Sequence, residues 1–409
     1  VDDFTPSTPL LRHRAFLLFL YVRIAASVAL QMQAVAIGWQ MYVLTGSSFA
    51  LGLVGLVQFI PAIGLFLVTG HAADRYDRRV VTAISQIAEA TAVAVLALAN
   101  LSGWLTPNLL LGMAFVVGAG RAFEQPSLQS VLPNIVTPHM LPRAIAAANS
   151  VSQIAVVAGP ALGGILIAVS PTSVFGACTL LWFSAALAIL AVAMQRAPSK
   201  REPFNLNAVF SGIAFMARQK VVLGAIVVDL FAVLLGSVTA LLPIITRDIF
   251  NSGPLSFGAL RAAPAAGAVI SALVLTRWPI SRSVGRTLFV AIAIYGTGTI
   301  LLALSPNFVF AVAAMAIVGA SDTVSVVIRQ TLVQLHTPDD MRGRVFAVNS
   351  MFTSTSNQLG TFRAGTVAAL VGTIPAVLIG GVSTLAVLVL SVPIFRELYR
   401  AQGYEPLQP

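Results

Sequence analysis

Twelve apolar runs, each about as long as a helix needs to cross a hydrocarbon layer, constrain this chain more than any motif does. They lie at about 15–43, 49–69, 80–101, 108–128, 144–168 and 173–194, and then at 221–247, 257–276, 287–304, 307–328, 345–370 and 374–395. A spanning helix takes about 20 residues, and backbone in lipid must satisfy its own hydrogen bonds. Only 9% of the residues are charged, against about 25% in soluble domains. The expected fold class is therefore an all-α polytopic membrane protein with twelve transmembrane helices. The first run, from Ala15, is too long for the core of a signal peptide, so no cleavable leader is expected.

The connections alternate in charge. Turns near Gly46, Gly103, Pro171, Pro306 and Gly372 contain no Lys or Arg, while the alternate segments hold most of the basic residues, including Arg143, Arg282, Arg286, Arg329 and Arg342. Positive loops stay on the cytoplasmic side. Both termini are thus expected there, in a bacterial-type inner membrane, as an even number of spans also requires. The net charge of +10 follows from this loop bias and is no nucleic-acid signature. The lone Cys178 excludes a disulfide framework. No His falls inside a run, which argues against a buried metal site; no cofactor is expected, and a monomer is.

Six runs, a polar stretch and six more runs suggest a duplication. Residues 137–150 and 337–350 share Thr, Pro, Ala, Asn and Ser at equivalent places. Gly118-Ala119 matches Gly319-Ala320, and Pro61-Ala62-x-Gly64 matches Pro264-Ala265-x-Gly267. Two six-helix bundles related by a pseudo-twofold account for this: residues 1–195, a linker with an amphipathic helix at 196–220, and residues 221–409. In that linker Leu206, Val209, Phe210, Ile213 and Phe215 approximate one helical face, as for an interfacial helix; an early start to the seventh span is the alternative.

Between the second and third runs lies Gly70-His71-Ala72-Ala73-Asp74-Arg75-Tyr76-Asp77-Arg78-Arg79. This turn resembles the Gly-x-x-x-Asp-Arg-x-Gly-Arg-Arg signature of the major facilitator superfamily, departing from it at Asp77. The resemblance implies that Gly70 allows close helix packing and that Asp74 docks on the neighbouring half when the cytoplasmic side is shut. Arg75, Arg78 and Arg79 would hold the turn. Near Arg277 the second half has no equivalent acid, so a one-sided latch is expected. Gly159-Pro160-Ala161-Leu162-Gly163-Gly164 in the fifth run resembles the Gly-Pro-x-x-Gly-Gly core typical of exporting members; plain helix packing is the other reading. With Gln125 to Asn149, these stretches are similar to the enterobactin-exporter and macrolide-efflux branch.

Eight ionisable residues fall within runs: Arg23, Glu89, Arg121, Glu124, Asp229, Arg261, Asp322 and Arg363. Each costs about 2.5–3.5 kcal/mol at a helix centre on insertion scales, so pairing or a wet cavity is expected. The resemblance implies that spans one, four, seven and ten line a central cavity. Arg23 and Arg121 would there face Asp229 and Asp322 in a charge layer, with Glu124 one turn from Arg121. Asp229, Asp322 and Glu124 are then candidate proton carriers; a static inter-bundle salt bridge is the alternative. Arg261 and Arg363 would favour an anionic or catechol-like solute, or else anchor helix ends by snorkelling. Gln31, Gln33, Gln40, Gln58, Asn149, Gln153, Asn357 and Gln358 are candidate cavity residues. Met32, Trp39, Phe59 and Phe123 are candidate apolar walls, and Glu89 a partner for the 70–79 turn.

The expected function is secondary active transport by alternating access. The leading reading is a proton-coupled antiporter that exports a small amphipathic molecule such as a siderophore or drug, with protons, solute and bilayer as its partners. An importer or lipid flippase of the same fold is the alternative, and a metal exporter a distant one. The chain has no Walker-type loop, metal cluster or soluble catalytic domain of the kind that an enzyme would carry.

Overall fold

The computed structural model of the chain describes residues 13–65, 68–69, 75–137, 139–194, 206–338 and 341–404. Gly70 and Asp74 lie outside the described residues. The described part is helical, without a strand. The first half holds α1 (Arg14–Thr45), α2 (Ser48–Gly64), α3 (Arg78–Leu101), α4 (Pro107–Val131), α5 (Leu141–Val169) and α6 (Pro171–Leu190). After α7 (Leu206–Arg218) come α8 (Lys220–Gly236), α9 (Pro254–Arg277), α10 (Val284–Ala303), α11 (Phe308–Leu335), α12 (Arg342–Val371), α13 (Thr373–Ile394) and the short α14 (Arg396–Arg400). These make the twelve spans, with α7 and α14 as additional helices.

Local chemistry sets the boundaries. Gly46 closes α1 in the left-handed region at φ 59°, which glycine adopts without steric cost. Pro107 and Pro171 occupy first turns, where a missing N–H costs nothing. The Thr106 and Ser170 side chains accept from the backbone N–H of Leu109 and Thr172. Asn307 caps α11 by accepting from Phe310 N at 2.9 Å. The linker helix α7 is separate from α8: Gln219, at φ −97° and ψ 90°, breaks the chain between them.

Nine of the described helices are long and apolar enough to cross a membrane. The segments outside that set are informative. α2 is 17 residues long, α4 carries Arg121 and Glu124, and α12 carries the polar run Thr353 to Gln358. Polarity in a span of a membrane bundle marks a face turned to protein or water.

The seventh span is broken. α8 stops at Gly236, a 3₁₀ turn follows at Thr239–Leu241, and a π-helical turn runs over Ile245–Ile249. The Arg363 guanidinium donates through Nη2 to the Ser237 carbonyl at 3.3 Å, taking up a carbonyl freed by the break. Arg363 therefore caps a helix end inside its own unit, where sequence suggested snorkelling or solute binding.

The chain forms two compact units. One comprises Val1–Gly46, Val57–Phe204 and Gly253–Ala262; the other comprises Ser47–Leu56, Asn205–Ser252 and Ala263–Pro409. The start of α2 thus groups with the second unit and the start of α9 with the first. In the first unit Phe16, Phe19, Leu20, Leu128, Val131, Ile135, Ile189 and Val192 form a core. In the second, Val221, Val228, Leu288, Phe289, Ile328, Leu332 and Leu398 do so.

Close helix approach explains the repeated small residues. A Cβ on Gly118 would overlap the Gln58 carbonyl, and one on Gly319 the Pro264 carbonyl. One crossing is thus built twice, α2 on α4 and α9 on α11. The helix-five motif is also a packing surface. A Cβ on Gly159 would lie 2.6 Å from Gln31 Cβ, one on Gly163 would lie 3.1 Å from Met32 Cα, and one on Gly164 would lie 2.9 Å from Gly258 Cα. Pro160 is buried beside them. Lipid supplies no hydrophobic force between helices, so such van der Waals contact carries association.

Candidate functional site

The charged turn after α2 is held by its arginines. Asp77, where the superfamily signature has Gly, is the N-cap of α3: its Oδ1 accepts from Arg79 N at 2.9 Å. The same carboxylate takes Arg79 Nε at 3.2 Å and Nη2 at 2.8 Å. Arg79 Nη1 then donates to the Val192 carbonyl at 2.8 Å, beyond the end of α6, and Arg78 Nη1 to the Ser130 carbonyl at 3.2 Å, near the end of α4. Guanidinium at helix C-termini answers both the unpaired carbonyls and the dipole. The departure at Asp77 is thus compensated by a cap and a forked ion pair. Arg75 is exposed. We expect Asp77→Ala to cost about 1 kcal/mol, a typical cap loss, read as a lower midpoint of thermal unfolding in detergent. Asp77→Asn, which keeps the cap, should lose less.

In the second unit the ionisable residues close on one another. Asp229 of α8 accepts from Ser325 Oγ of α11 at 2.5 Å, and Arg329 Nε lies 3.0 Å from its Oδ2. That N–H is not aimed along a hydrogen bond, so the attraction is Coulombic. Arg329 Nη1 donates to Asn349 Oδ1 at 2.6 Å and to Thr353 Oγ1 at 3.3 Å, both on α12. The ion-pair side chains are 3% and 8% exposed. A small cavity of about 10 Å³, bounded by Asp229, Arg329, Thr353, Ser356 and Phe352, adjoins them; it has room for about one water.

This corrects the reading of Arg329 as a loop residue. α11 runs on to Leu335 and buries Arg329 between three helices. Asp229 therefore has its counter-charge within its own unit, where the sequence suggested Arg23 or Arg121 from the other half. The duplication carried the missing signal: the 201-residue offset that pairs Gly118 with Gly319 also pairs buried Leu128 with Arg329.

Asp322, two turns before Arg329 on α11, is half-buried, and no hydrogen bond to it is recorded among the described residues. In the first unit Glu124 accepts from Gln86 Nε2 at 2.9 Å. Glu89 is fully buried in α3. Its carboxyl lies against Gly120 of α4, with Oε1 2.8 Å from where a Cβ would stand. It is thus about 16 Å along the helix from the turn that sequence had offered as its partner, at 1.5 Å per residue. Arg23, Arg121 and Arg261 are half-buried.

Other expected cavity residues divide. Gln33 accepts from Trp182 Nε1 at 3.0 Å inside the α1–α6 contact. Gln40, Met32 and Phe59 are buried, and Trp39 stacks on Phe257 with centroids 5.7 Å apart. These residues belong to helix packing. Gln31 and Gln58 are half-buried, Asn149 and Asn357 exposed. Among the described residues no group of three or more His, Cys, Asp or Glu is arranged to hold a metal ion.

A family model described as "Transmembrane secretion effector" matches residues 4–402. The chain belongs to this family of the major facilitator superfamily. It is 26% identical to macrolide efflux protein A of Streptococcus pyogenes, over 83% of this chain and 85% of that one. It is 25% identical to the enterobactin exporter EntS of Escherichia coli, over 96% and 95%. Among solved structures it resembles a nucleoside transporter, NupG, at TM-score 0.75 and 12% identity, over 93% of this chain and 100% of that one. It also resembles a bacterial homologue of the iron transporter ferroportin in an inward-facing state, at 0.70 and 16%, over 96% and 100%. These likenesses show the fold. The protein is a multi-pass membrane transporter of small molecules and not an enzyme.

Proposed function

We propose that the protein is a proton-coupled exporter of a small amphipathic organic molecule, working by alternating access with both termini cytoplasmic. The observation that supports coupling is the unequal treatment of its intramembrane acids. Asp229 is held by Arg329 and Ser325. Glu124 has one amide donor, and no hydrogen bond to Asp322 is recorded among the described residues. A carboxyl at membrane depth without a tight counter-ion can exchange a proton during a transport cycle. Asp322 and Glu124 are the carriers we favour, and Asp229 belongs to the buried frame of the second unit.

Export is favoured by the two relatives, which are named for macrolide efflux and enterobactin export. We place this chain's solute in the class that those names cover, a siderophore or a drug. In the first unit Arg261, with Gln31, Gln58 and Asn149, makes up the proposed solute-facing set, and Asn357 is a candidate of the second unit by itself. The test is uptake into inside-out vesicles of a panel of catecholate siderophores, macrolides and cationic dyes under an imposed pH gradient. At least one should accumulate, and dissipating the gradient should stop it.

A further inference from the structure

The interior of the first unit holds a group of polar atoms with nothing to bind. Glu89 Oε1 and Oε2, Gln86 Oε1 and Ser127 Oγ are all buried without a hydrogen-bond partner among the described residues. Gln86, Glu89 and Ser127 are each 0% exposed and Glu124 is 5%. Gln86 and Glu89 lie one turn apart on α3. Gly120, Glu124 and Ser127 follow one another at single-turn spacing on α4, which packs against it. The two helices thus bring two carboxyls, an amide and a hydroxyl to one place.

Gly120 makes the approach possible. A Cβ there would lie 2.7 Å from Glu89 Cγ and 3.1 Å from its Cδ, so any larger residue would expel the carboxyl. The atoms left unsatisfied are mainly acceptors. Glu89 offers two, Gln86 one, and the Gln86 amide already donates to Glu124. Buried acceptors without donors cost free energy, and a buried carboxylate without a close partner costs more. A single proton on either carboxyl removes one charge and creates the missing donor, which Gln86 Oε1 or the other carboxylate can accept.

We propose that Glu89 and Glu124, with Gln86 and Ser127, form a proton-binding site at mid-span in the first unit, in which one proton is shared between the two carboxyls. The charged groups that face it are Arg121 of α4 and Arg23 of α1. α6, on the other side of α3, brings no ionisable group but Cys178. When the proton leaves, these arginines are the charges that can compensate the pair. This rests on the proton-coupled reading and moves part of the coupling to α3, outside the helices that the family resemblance implies line the cavity. The second unit has no equivalent, since Glu124 corresponds to Ser325, whose hydroxyl is given to Asp229.

The test is pH-difference infrared spectroscopy on the purified full chain in lipid, which reads the C=O stretch of a protonated carboxyl without any solute. A band that titrates and shifts in deuterium oxide is expected. It should be lost in Glu89→Gln and strongly altered in Glu124→Gln, and unchanged in Glu397→Gln, whose carboxylate is the exposed partner of Lys220. Thermal unfolding shows whether each variant is folded; if Glu89→Gln is not, Glu124→Gln and Glu89→Asp decide. A band that survives in both Gln variants overturns the site. Loss of the band on adding sodium, but not potassium, at fixed pH would make it a sodium site and overturn the proton assignment. If the band behaves as expected while vesicle transport ignores pH, the site stands and the coupled reading falls. If transport is pH-driven and Glu89→Gln leaves both the band and the pH profile untouched, the inference alone falls.

Discussion

Arg329→Met is expected to destabilise the protein by about 3–5 kcal/mol, the usual cost of removing one member of a buried ion pair. Three helices depend on this side chain. Its Nε faces Asp229 on α8, while its Nη1 holds Asn349 and Thr353 on α12. The truncation would leave the Asp229 carboxylate only 8% exposed, with the Ser325 hydroxyl as its remaining recorded contact. Thermal unfolding in detergent should show a large drop in midpoint. The double variant Asp229→Leu/Arg329→Met should recover much of that loss, because replacing a whole buried pair by apolar groups is often close to neutral. If the single and double variants were equally unstable, the damage would come from lost packing and not from an orphaned charge.

Gly319→Ala and Gly267→Ala should be among the most damaging alanine substitutions at the described glycines. In each case the new methyl would occupy a neighbouring backbone carbonyl, that of Pro264 or Ala316. The obstacle is main chain, so no rotamer change relieves it and α9 must move off α11. Overpacking of this kind costs typically about 1–3 kcal/mol and occasionally more, and both glycines serve one crossing. Gly112→Ala in α4 and Gly176→Ala in α6 are the controls. Nothing lies within 4 Å of a Cβ at either place, and alanine is the better helix former by about 1 kcal/mol. Their unfolding midpoints should stay level or rise. Equal loss in all four would mean that the crossing is not the cause.

The spans were legible because lipid leaves a helix no alternative to long apolar runs. The repeated Gly118 and Gly319 were visible as matches, and the structure supplies their reason in a crossing made twice. Arg329 was misplaced because a charge after an apolar run looks like a loop; helical periodicity through buried Ile328, Leu332 and Val333 carries the span past it. The break at Ser237 was hidden because apolar stretches flank it on both sides and its cap, Arg363, is distant in sequence. The partner of Glu89 is not legible in the sequence, since its nearness to a charged turn says little about which face of the helix meets Gly120. Asp77 looked like a defect in a motif because the compensating fork from Arg79 is a matter of geometry.

The most direct measurement is solute accumulation in proteoliposomes of the purified protein under an imposed pH gradient, with and without an ionophore that exchanges protons for potassium. Accumulation driven by the gradient, abolished by the ionophore and accompanied by counter-movement of protons, is the result expected of a proton-coupled exporter. Accumulation or equilibration of the same solute at a rate indifferent to the gradient would contradict it.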